Sequence, residues 1–245
     1  MSPAVAAAPA TVGAGLCLAL AWGLAAGLAL SAGYVPLALT TFIAMMAVAL
    51  AGVAEHHPFD RVGAANLITG CRAVITALIA GALLEAPTSA LAWTLVGMAI
   101  VAAVLDGFDG RAARRDGMSS AFGARFDMEV DAFLILVLAA LAWRFDKAGA
   151  WVLASGLMRY AFIAAAWLWP WLNAPLPSSR RRQTVCVWQI GVLIGTIAPI
   201  IRPPLSTLVA AAALATLTWS FWLDVRLLAR LRLGPASMHG VAPPR

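Results

Sequence analysis

Asp106 and Asp109 stand three residues apart, and Asp127 and Asp131 stand four apart. Either spacing puts both carboxylates of a pair on one face of a helix. They belong to DGFDGRAARRDGMSSAFGARFDMEVD, 106–131, which holds six of the chain's 11 acidic residues. The flanks, MAIVAAVL before and AFLILVLAALAW after, are apolar. Four carboxylates gathered beside lipid repel one another and are costly unless compensated. Hard divalent cations such as Mg²⁺ compensate them, because these ions prefer oxygen ligands. Four such ligands suit two cations, and two cations suit a diphosphate.

The residues between the aspartates fit the same chemistry. Gly110 and Ala113 extend the face that carries Asp106 and Asp109, and Gly123 precedes Asp127 by four. Without large side chains there, a flat ligand can approach both backbones. Arg114 is placed to take a phosphate oxygen, a task suited to a planar guanidinium. Arg111, Arg115, Asp116, Arg125 and Glu129 read instead as the solvated charge of a connecting loop.

The elements that must position these groups follow from composition. Hydrophobic residues make up 62% of the 245 residues and charged residues 11%, whereas a soluble domain carries about 45–50% and about 25%. Lipid is therefore the solvent for much of the surface, which leaves a helical bundle or a closed barrel. The apolar runs are continuous rather than alternating, which selects helices. Eight spans are expected, at 10–31, 36–54, 66–84, 90–107, 129–143, 150–172, 185–201 and 204–224. The fifth is short unless part of the acidic stretch continues the same helix. A short connection makes the fourth and fifth spans antiparallel, so both aspartate pairs should lie at one membrane depth. No Lys or Arg precedes Arg61, so the first segment reads as a membrane helix rather than a signal peptide.

Cys17, Cys71 and Cys186 lie far apart in apolar runs without metal-ligand spacing, and read as small buried hydrophobes. The net charge of +6 sorts by topology rather than pointing to nucleic acid. One set of connections holds 12 basic residues, among them Arg111, Arg114, Arg115, Arg125, Arg180, Arg181 and Arg182. The opposite set holds 3, namely Arg144, Lys147 and Arg202. The positive-inside rule puts the first set, both termini and the acidic stretch in the cytoplasm, and the expected location is the bacterial cytoplasmic membrane. The tail GPASMHGVAPPR, part of 233–245, has the composition of a disordered segment.

Asp106-x2-Asp109-Gly110-x2-Ala113-Arg114-x8-Gly123-x3-Asp127-x3-Asp131 resembles, at all eight positions and every spacing, the signature of the CDP-alcohol phosphotransferases. The resemblance implies an all-α polytopic membrane bundle: a six-helix catalytic core over 61–232, preceded by an added two-helix hairpin over 1–60. It further implies transfer of a substituted phosphate from a lipid-linked CDP donor, often CDP-diacylglycerol, to a small alcohol acceptor with release of CMP. By the same resemblance, Asp106, Asp109, Asp127 and Asp131 bind two divalent ions, Mg²⁺ or Mn²⁺. Asp131 becomes the general base, and Gly110, Ala113, Arg114 and Gly123 correspond to nucleotide-site positions. Members are commonly homodimers.

Three further features lie outside the signature. Asn66, Thr69 and Arg72 recur every three residues, share a helix face, and resemble a pattern of the family's first core helix. They line a substrate site or form interhelical hydrogen bonds. Arg159 lies inside a span; it snorkels or binds a phosphate on the acceptor. Arg180, Arg181 and Arg182 are a topogenic signal that could also form the entrance of an anionic acceptor site. Arg159 and this run tilt the acceptor towards a phosphorylated polyol such as glycerol 3-phosphate or an inositol phosphate. His56 and His57 lack a third ligand nearby and read as interfacial, as do Trp167, Trp169 and Trp171. Two other functions compete. A membrane prenyltransferase would carry two aspartate motifs far apart in the chain, and a divalent-cation transporter would place its site near the midplane.

Overall fold

The computed structural model describes residues 3–51, 63–115, 121–177 and 179–233; at 3–8, 51, 109–115 and 121 it describes the backbone alone. His56, His57 and the tail lie outside the described residues. Eight α-helices of eight residues or more are found among them, with no strand. They are α1 (Pro3–Leu28), α2 (Tyr34–Ala51), α3 (Ala64–Gly81), α4 (Ser89–Arg115), α5 (Ala121–Arg144), α6 (Ala154–Leu168), α7 (Arg180–Ile197) and α8 (Leu205–Leu233).

Five stretches are long and apolar enough to cross a membrane: Pro9–Leu28, Ala64–Leu84, Ser89–Phe108, Ala150–Leu168 and Leu205–Arg232. The remaining three expected spans have identifiable differences. Tyr34–Leu50 is apolar but shorter. The first turns of α5 carry Asp127, Glu129 and Asp131, and α7 opens on three arginines. The chain is an integral membrane protein built as a helical bundle.

The helix that carries Asp127 and Asp131 does continue into the acidic stretch: α5 starts at Ala121, eight residues before the expected start of the fifth span at 129. Likewise α4 extends to Arg115, two turns beyond the expected end at 107. Every residue of the signature from Asp106 to Arg114 is therefore helical. The sixth span is interrupted. Pro170 removes a backbone donor, α6 ends at Leu168, and a 3₁₀ turn covers Pro170–Asn173.

The core runs along α3, α4, α5 and α7. Leu134, Leu138 and Leu141 of α5, Ala73 and Ile79 of α3, and Leu193 and Ile197 of α7 are fully buried. Gly156 lets α6 lie directly on α5: a Cβ there would sit 2.8 Å from the backbone nitrogen of Leu136 and closer still to its Cα. The α1–α2 hairpin is bolted to α3 at several levels. The Tyr34 hydroxyl donates to the Leu78 carbonyl at 2.9 Å. Its ring lies over Gly81, whose missing side chain makes room for it. The Glu85 carboxylate, in the turn after α3, accepts from the Ser31 backbone N–H at 3.0 Å and from its hydroxyl at 2.6 Å. At the corresponding turns of the second half, Lys147 donates to the carbonyls of Ala198 (3.0 Å) and Ile201 (2.6 Å) just after α7.

Candidate functional site

At the opposite end of the bundle, α4 delivers Asp106 and α5 delivers Asp127 and Asp131, one turn apart. One carboxylate oxygen from each comes within 4.8 Å of the others. The expectation that two neighbouring helix ends converge at one depth is met for these three. The side chain of Asp109 is outside the described residues.

The organising group comes from a third helix. Arg72 of α3 is fully buried. Its Nη1 pairs with Oδ1 of Asp106 at 2.9 Å and with Oδ1 of Asp127, and its Nη2 pairs with Oδ1 of Asp131. Its Nε donates to the Ala102 carbonyl of α4 at 3.2 Å. A planar fork of five N–H donors is suited to this, and an ammonium could not span the same set of acceptors. A fourth helix closes the site. Cys186 of α7 donates its thiol to Oδ2 of Asp131 at 3.7 Å. The cysteine expected to be a mere small hydrophobe thus touches the acidic cluster, because α7 packs on α5 at that level. Of the other two, Cys17 is buried as expected and Cys71 is exposed.

The aspartates keep a route to solvent, with side chains 25% (Asp106), 34% (Asp127) and 17% (Asp131) exposed. An all-oxygen set gathered within one coordination sphere, open on one side, fits a hard divalent cation such as Mg²⁺ or Mn²⁺. Soft or strongly tetrahedral metals prefer sulfur or imidazole ligands, whereas the three grouped ligand atoms are all carboxylate oxygens.

Of the other expected site residues, Asn66 and Thr69 are buried on the Arg72 face of α3. Thr69 donates its hydroxyl to the Ala65 carbonyl of its own helix at 3.1 Å. Asn66 lines a mainly apolar cavity of about 550 Å³ between the hairpin, α3 and α5. Gly123 lies one turn before Asp127 on α5. Gly110, Ala113 and Arg114 lie on the last turns of α4, their side chains outside the described residues.

Arg159 meets a partner that was assigned to a solvated loop: Glu129 of α5, whose Oε1 is 2.5 Å from Nη2. Neither is free surface charge, at 27% and 22% exposure. Asp127 and Glu129 point to different sides of α5, one into the cluster and the other towards α6. The signal was available, since an arginine inside a span needs a counter-charge at its own depth. Arg181 and Arg182 are likewise engaged. Arg181 donates to the Ser220 carbonyl at 2.6 Å and pairs with Asp224 of α8 at 2.5 Å. Arg182 reaches Asp224 at 3.3 Å and the Pro177 carbonyl. Arg180 is exposed. Asp224, a buried carboxylate on the apolar α8 that the sequence reading does not single out, takes both Arg181 and Arg182 and anchors that basic run.

The family model described as CDP-alcohol phosphatidyltransferase matches residues 62–229, from just before α3 into the last turns of α8. No curated protein and no solved structure matches the chain. With the match spanning more than half of its length, the chain belongs to the CDP-alcohol phosphatidyltransferase family.

Proposed function

We propose that the protein transfers a phosphatidyl group from CDP-diacylglycerol to the hydroxyl of a small alcohol and releases CMP. The observation that carries this reading is the meeting of Asp106, Asp127 and Asp131 at the end of apolar helices, within the residues the family match covers. A lipid-borne donor and a water-soluble acceptor can meet only at such an interface. We further propose that this end faces the cytoplasm with both termini, that 61–232 is the catalytic core, and that the protein is a homodimer.

In this reading Asp106, Asp109, Asp127 and Asp131 hold two divalent cations. When bound, these ions neutralise the charge that develops on the departing CMP. Gly110, Ala113 and Gly123 leave room for the nucleotide against the α4 and α5 backbones, and Arg114 takes a phosphate oxygen. The acceptor oxygen attacks the β-phosphorus, and the bond from that phosphorus to the bridging oxygen of CMP breaks. Asp131 accepts the hydroxyl proton. Arg72 on one carboxylate oxygen and Cys186 on the other fix the orientation of this base. Arg159, Arg180, Arg181 and Arg182 are the proposed contacts to an acceptor phosphate; Arg180 is exposed, and the other three would share their guanidinium groups with Glu129 or Asp224.

The test is CMP release from CDP-diacylglycerol by the purified protein with Mg²⁺, across glycerol 3-phosphate, an inositol phosphate and unphosphorylated alcohols. Acceptor-dependent CMP release is expected. No release with any alcohol, under conditions where the protein stays folded, overturns the reading.

A further inference from the structure

We propose that the α1–α2 hairpin completes the donor site, offering one groove on each side of α2 to the two acyl chains of the donor's diacylglycerol. The inference rests on the phosphatidyl-transfer reading above and adds the lipid half of the donor to it. The hairpin lies outside residues 62–229, which the family match covers, so its walls are additions to the shared core. One cavity, of about 550 Å³, lies between Met46 on one side of α2, the first turns of α1 and α3, and Phe122 and Phe126 of α5. The other, of about 540 Å³, lies between Met45 on the opposite side of α2, the α5 wall from Phe126 to Leu136, and α6. Both begin in the turns nearest the acidic cluster and run inward from it.

Bulk lipid would fill a groove anywhere on the bundle. What distinguishes these two is that they converge on the residue beside Asp127. Phe126 belongs to both walls and stacks on Phe122, with ring centres 6.0 Å apart, as a ridge between the grooves. A narrower cleft lies at that ridge, bordered by Val48 of one groove and Ala49 of the other. Two chains borne on one glycerol need openings this close together and this close to the phosphates. Length fits as well: Phe126 to Leu136 covers about 15 Å at ~1.5 Å per residue, near half of the ~30 Å hydrocarbon core of a bilayer. Polar groups stand at the cluster end, Asn66 in the first groove and Glu129, held by Arg159, in the second. Deeper, the walls are largely apolar, and the Thr40 hydroxyl is taken up by the Pro36 carbonyl of its own helix at 2.7 Å. Gly70 opens the first groove down to the α3 backbone, since a Cβ there would meet nothing within 4 Å.

The experiment uses CDP-diacylglycerol with a photoreactive diazirine in one acyl chain, bound to the full-length protein in detergent micelles with Mg²⁺. Mass spectrometry of the cross-linked peptides should find the label on the hairpin, and excess CDP should remove it. Label confined to other helices overturns the proposal, and so does hairpin label that CDP leaves unchanged. Gly70→Phe fills the first groove, and Ala44→Phe, on the wall of the second, fills that one. Each should weaken binding of CDP-diacylglycerol by roughly ten-fold or more, the loss of a few buried methylenes, and leave binding of CDP unchanged. A CDP-monoacylglycerol should tolerate either single variant, having the other groove, and weaken only in the double variant. Folded variants that bind both lipids as the unaltered protein does overturn the proposal. None of these measurements needs turnover. Acceptor-dependent CMP release with a hairpin free of label would strike only this inference, whereas no CMP release with any alcohol would strike the phosphatidyl-transfer reading.

Discussion

The Cys186 thiol donates to Oδ2 of Asp131 across 3.7 Å, while Arg72 occupies Oδ1 of the same carboxylate. The proposed base is thus held by two donors of unequal strength, one ionic and one weak. Cys186→Ala removes only the weak one. A neutral hydrogen bond contributes ~0.5–1.5 kcal/mol, so kcat for CMP release should fall roughly two- to ten-fold. The KM for the donor should hold. Cys186→Ser supplies a hydroxyl in place of the thiol and should recover most of the loss. Equal kcat in all three proteins would mean that the contact does not orient the base.

Asp131→Asn keeps an oxygen for Arg72 but cannot take a proton at neutral pH. If Asp131 is the base, kcat should drop by ~10²–10⁴, the usual contribution of a positioned proton acceptor. Binding of CDP, measured by calorimetry in the presence of Mg²⁺, should persist. Turnover within a few-fold of the unaltered protein would transfer the base role elsewhere.

The bundle and the acidic cluster were legible because both are written in local patterns. Apolar runs of span length report helices directly, and three- or four-residue spacings report which side chains share a face. What was not legible is the set of contacts between helices distant in sequence. Arg72 read as one member of a polar face, yet it lies 55 and 59 residues from the aspartates it joins on α5. Cys186 read as apolar because its own segment is apolar; only the packing of α7 on α5 gives it a carboxylate neighbour. Glu129 reads as a loop charge because it stands at the very edge of the expected fifth span, 129–143, beside a run of mixed charges. Once the helix starts at Ala121, Glu129 belongs to its wall and faces Arg159.

Glu129, paired with Arg159, lines an apolar cavity of about 540 Å³ between α2, α5 and α6, where Tyr160 also forms part of the wall. If Arg159 contacts a phosphate on the acceptor, Arg159→Gln should raise KM for a phosphorylated acceptor by roughly ten- to a hundred-fold, the loss of a charge-assisted hydrogen bond. It should leave KM for an unphosphorylated alcohol unchanged. An equal effect on both acceptors would assign the pair to packing of α5 on α6 instead.

Glu85 tests what holds the hairpin. Its carboxylate is buried, and Ser31 supplies both a backbone and a hydroxyl donor to it. Glu85→Ala leaves those donors without their acceptor, at about 1–3 kcal/mol. The melting temperature in detergent should fall. Ser31→Ala removes only the hydroxyl and should cost less. The ranking matters more than either value: a Ser31→Ala protein less stable than Glu85→Ala would mean that the turn is held by something other than this carboxylate.

Gly156→Ala tests whether the site depends on the seating of α6 against α5. The added methyl would meet the backbone of Leu136, which cannot yield as a side-chain tip could. Small residues at such crossings are what let membrane helices approach closely. Forcing the two apart should cost about 1–3 kcal/mol, as overpacking does in other cores. Leu136 lies only five residues along α5 from Asp131, so the displacement should reach the acidic cluster and lower kcat as well as the melting temperature. Gly156→Leu, with more volume at the same contact, should lower both further. An alanine variant with unchanged stability and turnover would show that α6 can ride outward without carrying α5 with it.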